Sequence, residues 1–210
     1  MTQQATPAPT HAVETPAPPP AKPGDFIADP GALGTAAFAL TTFVLSVFNA
    51  GLLPVSLEPV VFGLALFYGG IVQLVAGIME FFKGSTFGAV VFCSYGGFWM
   101  SFWYYVTFIA HDLPEGTAHT ATGLFLLAWG MFTLYLLIAA SKVHPAMFIT
   151  FVLLEITFIL LTLGNLASMP LATRLGGFMG IITAFAAWYL SAASVLSSTF
   201  GRQVLPLGKK

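Results

Sequence analysis

The sequence predicts an all-α integral membrane protein, six transmembrane helices in a compact bundle with both termini cytoplasmic. Three observations carry that reading. Of 210 residues, 57% are hydrophobic and 7% are charged, a balance that no water-soluble core of this size requires. Apolar runs long enough to cross a hydrocarbon core of about 30 Å recur six times. The breaks between them are short and hold proline or charge, which leaves no room for a soluble domain. The formal net charge of -1 gives no footing for a nucleic-acid partner, and the lone Cys93, inside an apolar run, reads as a small buried hydrophobe.

In chain order, residues 1–28 are rich in Ala, Pro and Thr with almost no large apolar side chains. Such a stretch cannot offset its ordering entropy and reads as a disordered cytoplasmic tail. It lacks the charged start and apolar core of a signal peptide; its APPPAKP stretch suits polyproline II. The six-helix transmembrane domain is expected over 29–201, with spans near 33–53, 59–80, 86–110, 120–141, 145–165 and 174–197, followed by a short basic tail, 202–210. The breaks carry Pro54, Glu58 and Pro59, then Lys83, then His111 to Glu115, then Lys142 and Pro145, then Pro170 and Arg174. With both termini inside, Lys22, Lys83, Lys142, Arg202, Lys209 and Lys210 fall on the cytoplasmic side and Arg174 alone outside. That is a positive-inside distribution.

In the second span Gly63, Gly70, Gly77 and Gly84 recur every seven residues. On a helix this spacing keeps them near one face, and in lipid a flat face of small residues lets another helix approach closely. The row reads as a helix-packing seam.

Function must come from polar groups inside the bilayer. Asn49, Gln73, Glu80, Ser94, Tyr95, Ser101, Thr133, Tyr135, Glu155, Thr157, Thr162 and Asn165 are the candidates, although helical hydroxyls mostly bond back to their own backbone. Glu155 stands apart, in the middle of LLEITFILL, where an ionised carboxylate would cost at least about 2.5–3.5 kcal/mol. It is protonated, paired or facing water; a neutral Glu155 serves either as a structural hydrogen bonder or as a proton site, and it is the candidate for the latter. Glu80 and Lys83, three apart, suggest an interfacial ion pair. No Lys or Arg lies deep in any span, so the cargo should be small or weakly charged. A short monocarboxylate fits, held by hydroxyls, an amide such as Gln73 and exposed helix N-termini. No Walker motif, Cys/His cluster, haem ligand pair or nucleophile elbow appears, so neither catalysis nor a metal or other cofactor is expected.

Several segments carry a resemblance. Asp29-Pro30-Gly31-Ala32-Leu33-Gly34 resembles a variant of the NPAPLGL signature of the acetate uptake transporter family, the succinate–acetate permeases. FYGGIVQLVAGIMEFFKGSTFG, SYGGFW at Ser94–Trp99, WGMFTL from Trp129, Gly164-Asn165 and FGRQVLP from Phe200 follow in the family's order. The resemblance covers residues 29–208. It implies a plasma-membrane homohexamer of six-helix subunits, each with its own path for acetate and, more weakly, succinate or other short monocarboxylates. It leaves proton-coupled carriage and passive conduction both open. It also implies that Asp29, Pro30, Leu33 and Gly34 lie at the cytoplasmic mouth and that Phe38, Tyr95 and Leu154 form a hydrophobic constriction. Asn49, Gln73, Thr157 and Asn165 are the polar path candidates beside them. The chain departs from the pattern at Asp29 (usually Asn), Ala32 (usually Pro), Ser194 (acidic in many relatives) and Glu155 (expected neutral). Two other readings stand beside transport of carboxylates: an oligomeric membrane scaffold or signalling protein, and a pore for small neutral solutes such as ammonia.

Overall fold

The computed structural model describes residue 24 and residues 26–208, and every regular element among them is helical. The expected disorder of residues 1–23 and 25, and the charges of Lys22, Lys209 and Lys210, lie outside the described residues.

Helix α1, Pro30–Asn49, begins where Pro30 takes the first helical position after an extended Asp29, a place where the missing N–H of proline costs nothing. It ends just before Gly51, whose φ is +69°. The next helical rod, Val55–Lys83, is continuous but not uniform. A 3₁₀ turn at Val55–Leu57 and α2, Val60–Gly63, lead into a π-helical segment, Leu64–Val72, and then α3, Gln73–Lys83. Gly84 stops it in the left-handed conformation at φ +80°, with its N–H on the Phe81 carbonyl, a common glycine-ended helix terminus. Helix α4, Thr86–Tyr104, starts at Ser85, whose hydroxyl accepts from the Gly88 N–H at 3.2 Å. It runs on as a π-helical turn, Tyr105–Ile109. Helices α5, Ala118–Ala140, α6, Pro145–Leu166, and α7, Pro170–Phe200, complete the chain.

Six helical rods therefore match the six expected runs among the described residues. Five are long and apolar enough to cross a membrane. The α4 rod is the exception, because Ser94, Tyr95, Gly96, Gly97, Trp99 and Ser101 dilute its hydropathy. It is nevertheless heavily buried, with Tyr95 and Trp99 at 1% and 3% exposure. Its aromatic rings form the centre of the core, Phe98 stacking on Phe125 and meeting Trp129 and Phe158 edge-on.

The glycine row packs over only part of its length within the chain. A methyl group on Gly77 would collide with the backbone of Cys93, and one on Gly96 would lie 2.8 Å from the Leu74 nitrogen, so α3 and α4 touch backbone to backbone. Gly70 sits against Met100 in the same seam. Gly63 meets nothing within 4 Å. The π-helical segment explains the difference. Its wider i→i+5 turns advance fewer degrees per residue, so seven residues no longer return the chain to the same face.

Candidate substrate path

Two cavities lie end to end in the helix bundle. The first, of about 310 Å³, is walled by residues of α1, α3, α4, α6 and α7, among them Asp29, Gln73, Glu80, Lys83 and Tyr95. The second, of about 700 Å³, is walled by Asn49, Glu58, Trp99, His119, Thr157 and Asn165 among others. Phe38 and Leu154 line both, so these two side chains form the partition between them.

The partition follows from local sequence. On α1, Thr35, Phe38, Thr42, Ser46 and Asn49 recur at three- and four-residue spacing and face the cavities along the whole helix. Gly34 holds the start of this stripe against the Phe92 ring, since a methyl there would lie 2.6 Å from it. On α6, Thr150, Leu154, Thr157 and Leu161 make the corresponding stripe. Tyr95 of α4 closes the triangle. Its ring centroid is 5.6 Å from that of Phe38. Its hydroxyl lies 2.8 Å from Thr133 Oγ1, whose own proton goes to the Trp129 carbonyl. Phe38 and Leu154, from α1 and α6, thus separate the two cavities, and Tyr95 of α4 packs on Phe38 from the side of the first.

Gln73 lies in the first cavity, with no exposed surface, and neither its Oε1 nor its Nε2 has a partner among the described residues. Leaving such an amide unmet costs about 1–3 kcal/mol per group, so its polar atoms are available to whatever enters. Asn49, Thr157 and Asn165 line the second cavity. Thr157 donates to the Leu153 carbonyl at 2.8 Å and its Oγ1 also lies 3.2 Å from Thr183 Oγ1, while Asn165 donates to the Leu161 carbonyl at 2.9 Å. Of the signature residues, Asp29 lines the first cavity, Pro30 and Gly34 are buried at the start of α1, and Leu33 is 44% exposed and lines neither cavity. Glu155 also lines neither. Turned away from Leu154, it is partly buried, with Oε2 unpartnered among the described residues.

The expected Glu80–Lys83 pair does not form. Lys83 Nζ lies 2.6 Å from Asp29 Oδ1, and Glu80 turns inward to 4% exposure. Gly88 makes this possible: a methyl at that position would lie 2.6 Å from the Glu80 carboxyl. Ser194 of α7 donates to Asp29 Oδ2 at 2.5 Å. Burial pushes the Asp29 carboxyl up, but the hydrogen bonds from Lys83 and Ser194 and the Lys83 charge outweigh it and hold it below its ordinary value of 3.8. Because both side chains are about 40% exposed, 35% for Lys83 and 45% for Asp29, the pair contributes little to stability, about 0–1 kcal/mol. Contacts between residues this far apart in the chain had no local signal. Thr42 and Trp99, both with unpartnered buried polar atoms on the second cavity, were also missed, although Thr42 stands one helical turn from Phe38.

Comparison with known proteins places the chain. Residues 13–208 match the model of the GPR1/FUN34/yaaH family. The chain is 43% identical over 174 residues to Ammonia transport outward protein 2 of Saccharomyces cerevisiae, covering 80% of this chain and 61% of that protein. It therefore spans about three fifths of the length of that yeast relative. It is 34% identical to the succinate-acetate/proton symporter SatP of Escherichia coli K12, over 87% of this chain and 96% of that one. The solved structure of the bacterial acetate channel SatP superimposes with a TM-score of 0.81 at 35% identity, covering 87% of this chain and 99% of the other. Sequence, fold and extent agree, and the chain belongs to the GPR1/FUN34/yaaH family.

Proposed function

We propose that the protein transports acetate and related short carboxylates, succinate among them, across a membrane, along the two cavities and past Phe38, Tyr95 and Leu154. The observation that carries this is Gln73: a fully buried amide, both polar atoms unmet, in a cavity that ends at an apolar partition. An amide N–H₂ offers a carboxylate two donors, and an apolar narrowing favours a small solute that sheds its water there. The names of the bacterial symporter and channel relatives point the same way.

In this reading α4 is the sixth crossing, carried by its neighbours rather than by its own hydropathy. Both termini lie in the cytoplasm of a plasma-membrane protein, in keeping with the distribution of Lys and Arg, and the assembly is the homohexamer that the family resemblance implies. Glu155 remains the proposed proton site. It adjoins Leu154 in sequence without touching the path, so its protonation acts on the constriction through α6. The chain has no proposed catalytic role.

The test is labelled acetate uptake into proteoliposomes against empty liposomes, with pH gradient and voltage clamped separately. Accumulation above equilibrium that needs an inward proton gradient identifies a coupled carrier. Flux that follows the acetate gradient and voltage without saturating identifies a channel. Uptake no greater than that of empty liposomes overturns the reading. The apolar partition and the name of the yeast relative favour a second reading, a pore for neutral ammonia, which requires ammonia flux indifferent to competing carboxylates.

A further inference from the structure

The wall of the first cavity already contains a carboxylate-binding site, and the carboxylate in it belongs to the protein. Asp29 Oδ1 is 2.6 Å from Lys83 Nζ, and Oδ2 accepts from Ser194 Oγ at 2.5 Å. One ammonium from the end of α3 and one hydroxyl from α7 thus hold a carboxylate supplied by the segment before α1. All three residues line the cavity, and Lys83 is the only Lys or Arg lining either cavity among the described residues. Deeper in the same space lies Gln73, unexposed and with both polar atoms unpartnered, an independent sign that this cavity receives a polar guest. The Gly31 N–H helps hold the Asp29 carboxyl below its ordinary value but falls short of a side-chain cap on α1, so the carboxyl can leave at little cost to that helix.

We propose that Lys83 and Ser194 form the entry site for the substrate carboxylate, and that Asp29 is a tethered competitor occupying it until substrate takes its place. The inference rests on the transport reading and assigns its first binding step. The charged and titratable side chains facing this cavity are Asp29, Glu80, Lys83, Tyr95 and His144. Lys83 pairs with the Asp29 carboxylate, and an ammonium binds one carboxylate as readily as another. The substrate anion therefore takes the place of Asp29 on the Lys83 ammonium while the displaced Asp29 carboxylate turns to solvent, and then moves inward toward Gln73. The entry site reads only the carboxylate group, which leaves selection by size to Phe38 and Leu154.

The experiment is acetate uptake by proteoliposomes of the full chain at neutral pH, comparing wild type, Asp29→Asn, Lys83→Met and the double variant. Asn caps a helix as well as Asp, so Asp29→Asn removes the competitor and little else. The expected result is a KM lowered about two- to five-fold, the scale on which a half-exposed pair lowers the competent fraction of its own site. Lys83→Met raises KM about ten-fold, and the double variant matches Lys83→Met, because without the ammonium the Ser194 hydroxyl alone no longer holds a carboxylate there. If Lys83→Met does not assemble, Ser194→Ala in the Asp29→Asn background replaces it and raises KM over Asp29→Asn alone. A KM for Asp29→Asn equal to or above wild type, or an Asp29 effect that persists without Lys83, overturns this inference alone. Wild-type uptake no greater than that of empty liposomes overturns it together with the transport reading.

Discussion

Tyr95 and Thr133, on α4 and α5, share a hydrogen bond of 2.8 Å that anchors the ring packed on Phe38 at the end of the first cavity. Thr133 spends its proton on the Trp129 carbonyl, so Tyr95 is the donor. Tyr95→Phe removes that donor and leaves Thr133 satisfied. The expected cost is about 0.5–1.5 kcal/mol of stability, read by thermal denaturation in detergent, with a less rigid constriction that discriminates acetate from succinate less sharply in competition uptake. Unchanged discrimination would detach the hydrogen bond from selectivity.

Gln73 sets function against stability. Gln73→Leu removes two buried polar atoms that have no partner among the described residues, so the protein should become more stable, by about 1–3 kcal/mol. Acetate affinity should fall about ten-fold or more, the loss expected for about 1.4 kcal/mol of hydrogen bonding. A variant both less stable and fully active would show that the amide has a structural partner.

Leu154 is 5% exposed and lines both cavities. Leu154→Ala should widen the partition, raising succinate uptake relative to acetate. The stability cost should fall near the low end of the usual range of about 2–5 kcal/mol, because the side chain already borders empty space. An unaltered succinate-to-acetate ratio would place the narrowing elsewhere.

Two carboxyls separate by their pH behaviour. The folded-state value of Asp29 is depressed, so its pair with Lys83 stabilises the protein above the ordinary value of 3.8 and is lost only as pH falls through the lower folded value. Between pH 5 and pH 8, roughly, Asp29→Asn should therefore leave the shape of the uptake profile alone. Glu155→Gln should flatten that profile if Glu155 is the proton site. A wild-type profile in Glu155→Gln would remove it from that role.

Gly77 tests the α3–α4 seam. Gly77→Ala places a methyl against the Cys93 backbone, which cannot yield as a side-chain tip can, so assembly and thermal stability should fall sharply, by a few kcal/mol. Gly63→Ala, with nothing within 4 Å in the chain, should be mild within the subunit. Oligomer mass measured for both variants would show whether Gly63 instead meets another copy.

The sequence by itself determined the class of this protein and the limits of its helices. Hydropathy, proline and glycine act along the chain: Pro30, Pro145 and Pro170 open helices, and Gly84 and Gly201 end them. The resemblance also named Phe38 and Leu154, which line both cavities, and Tyr95, which lines the first. What tertiary structure alone decided was the rotation of each helix and the partner of each distant polar group. The π-helical segment turned Gly63 out of the seam that holds Gly70 and Gly77. One residue of helix, about 100°, put Leu154 on the path and Glu155 off it. Lys83 chose a carboxylate 54 residues away over the one three residues away, because the small Gly88 let Glu80 turn into the cavity and the approach of α1 brought Asp29 within reach. Helix phase accumulates from local geometry, and long-range pairing needs several helices in place at once. Neither is written in the composition of a single segment.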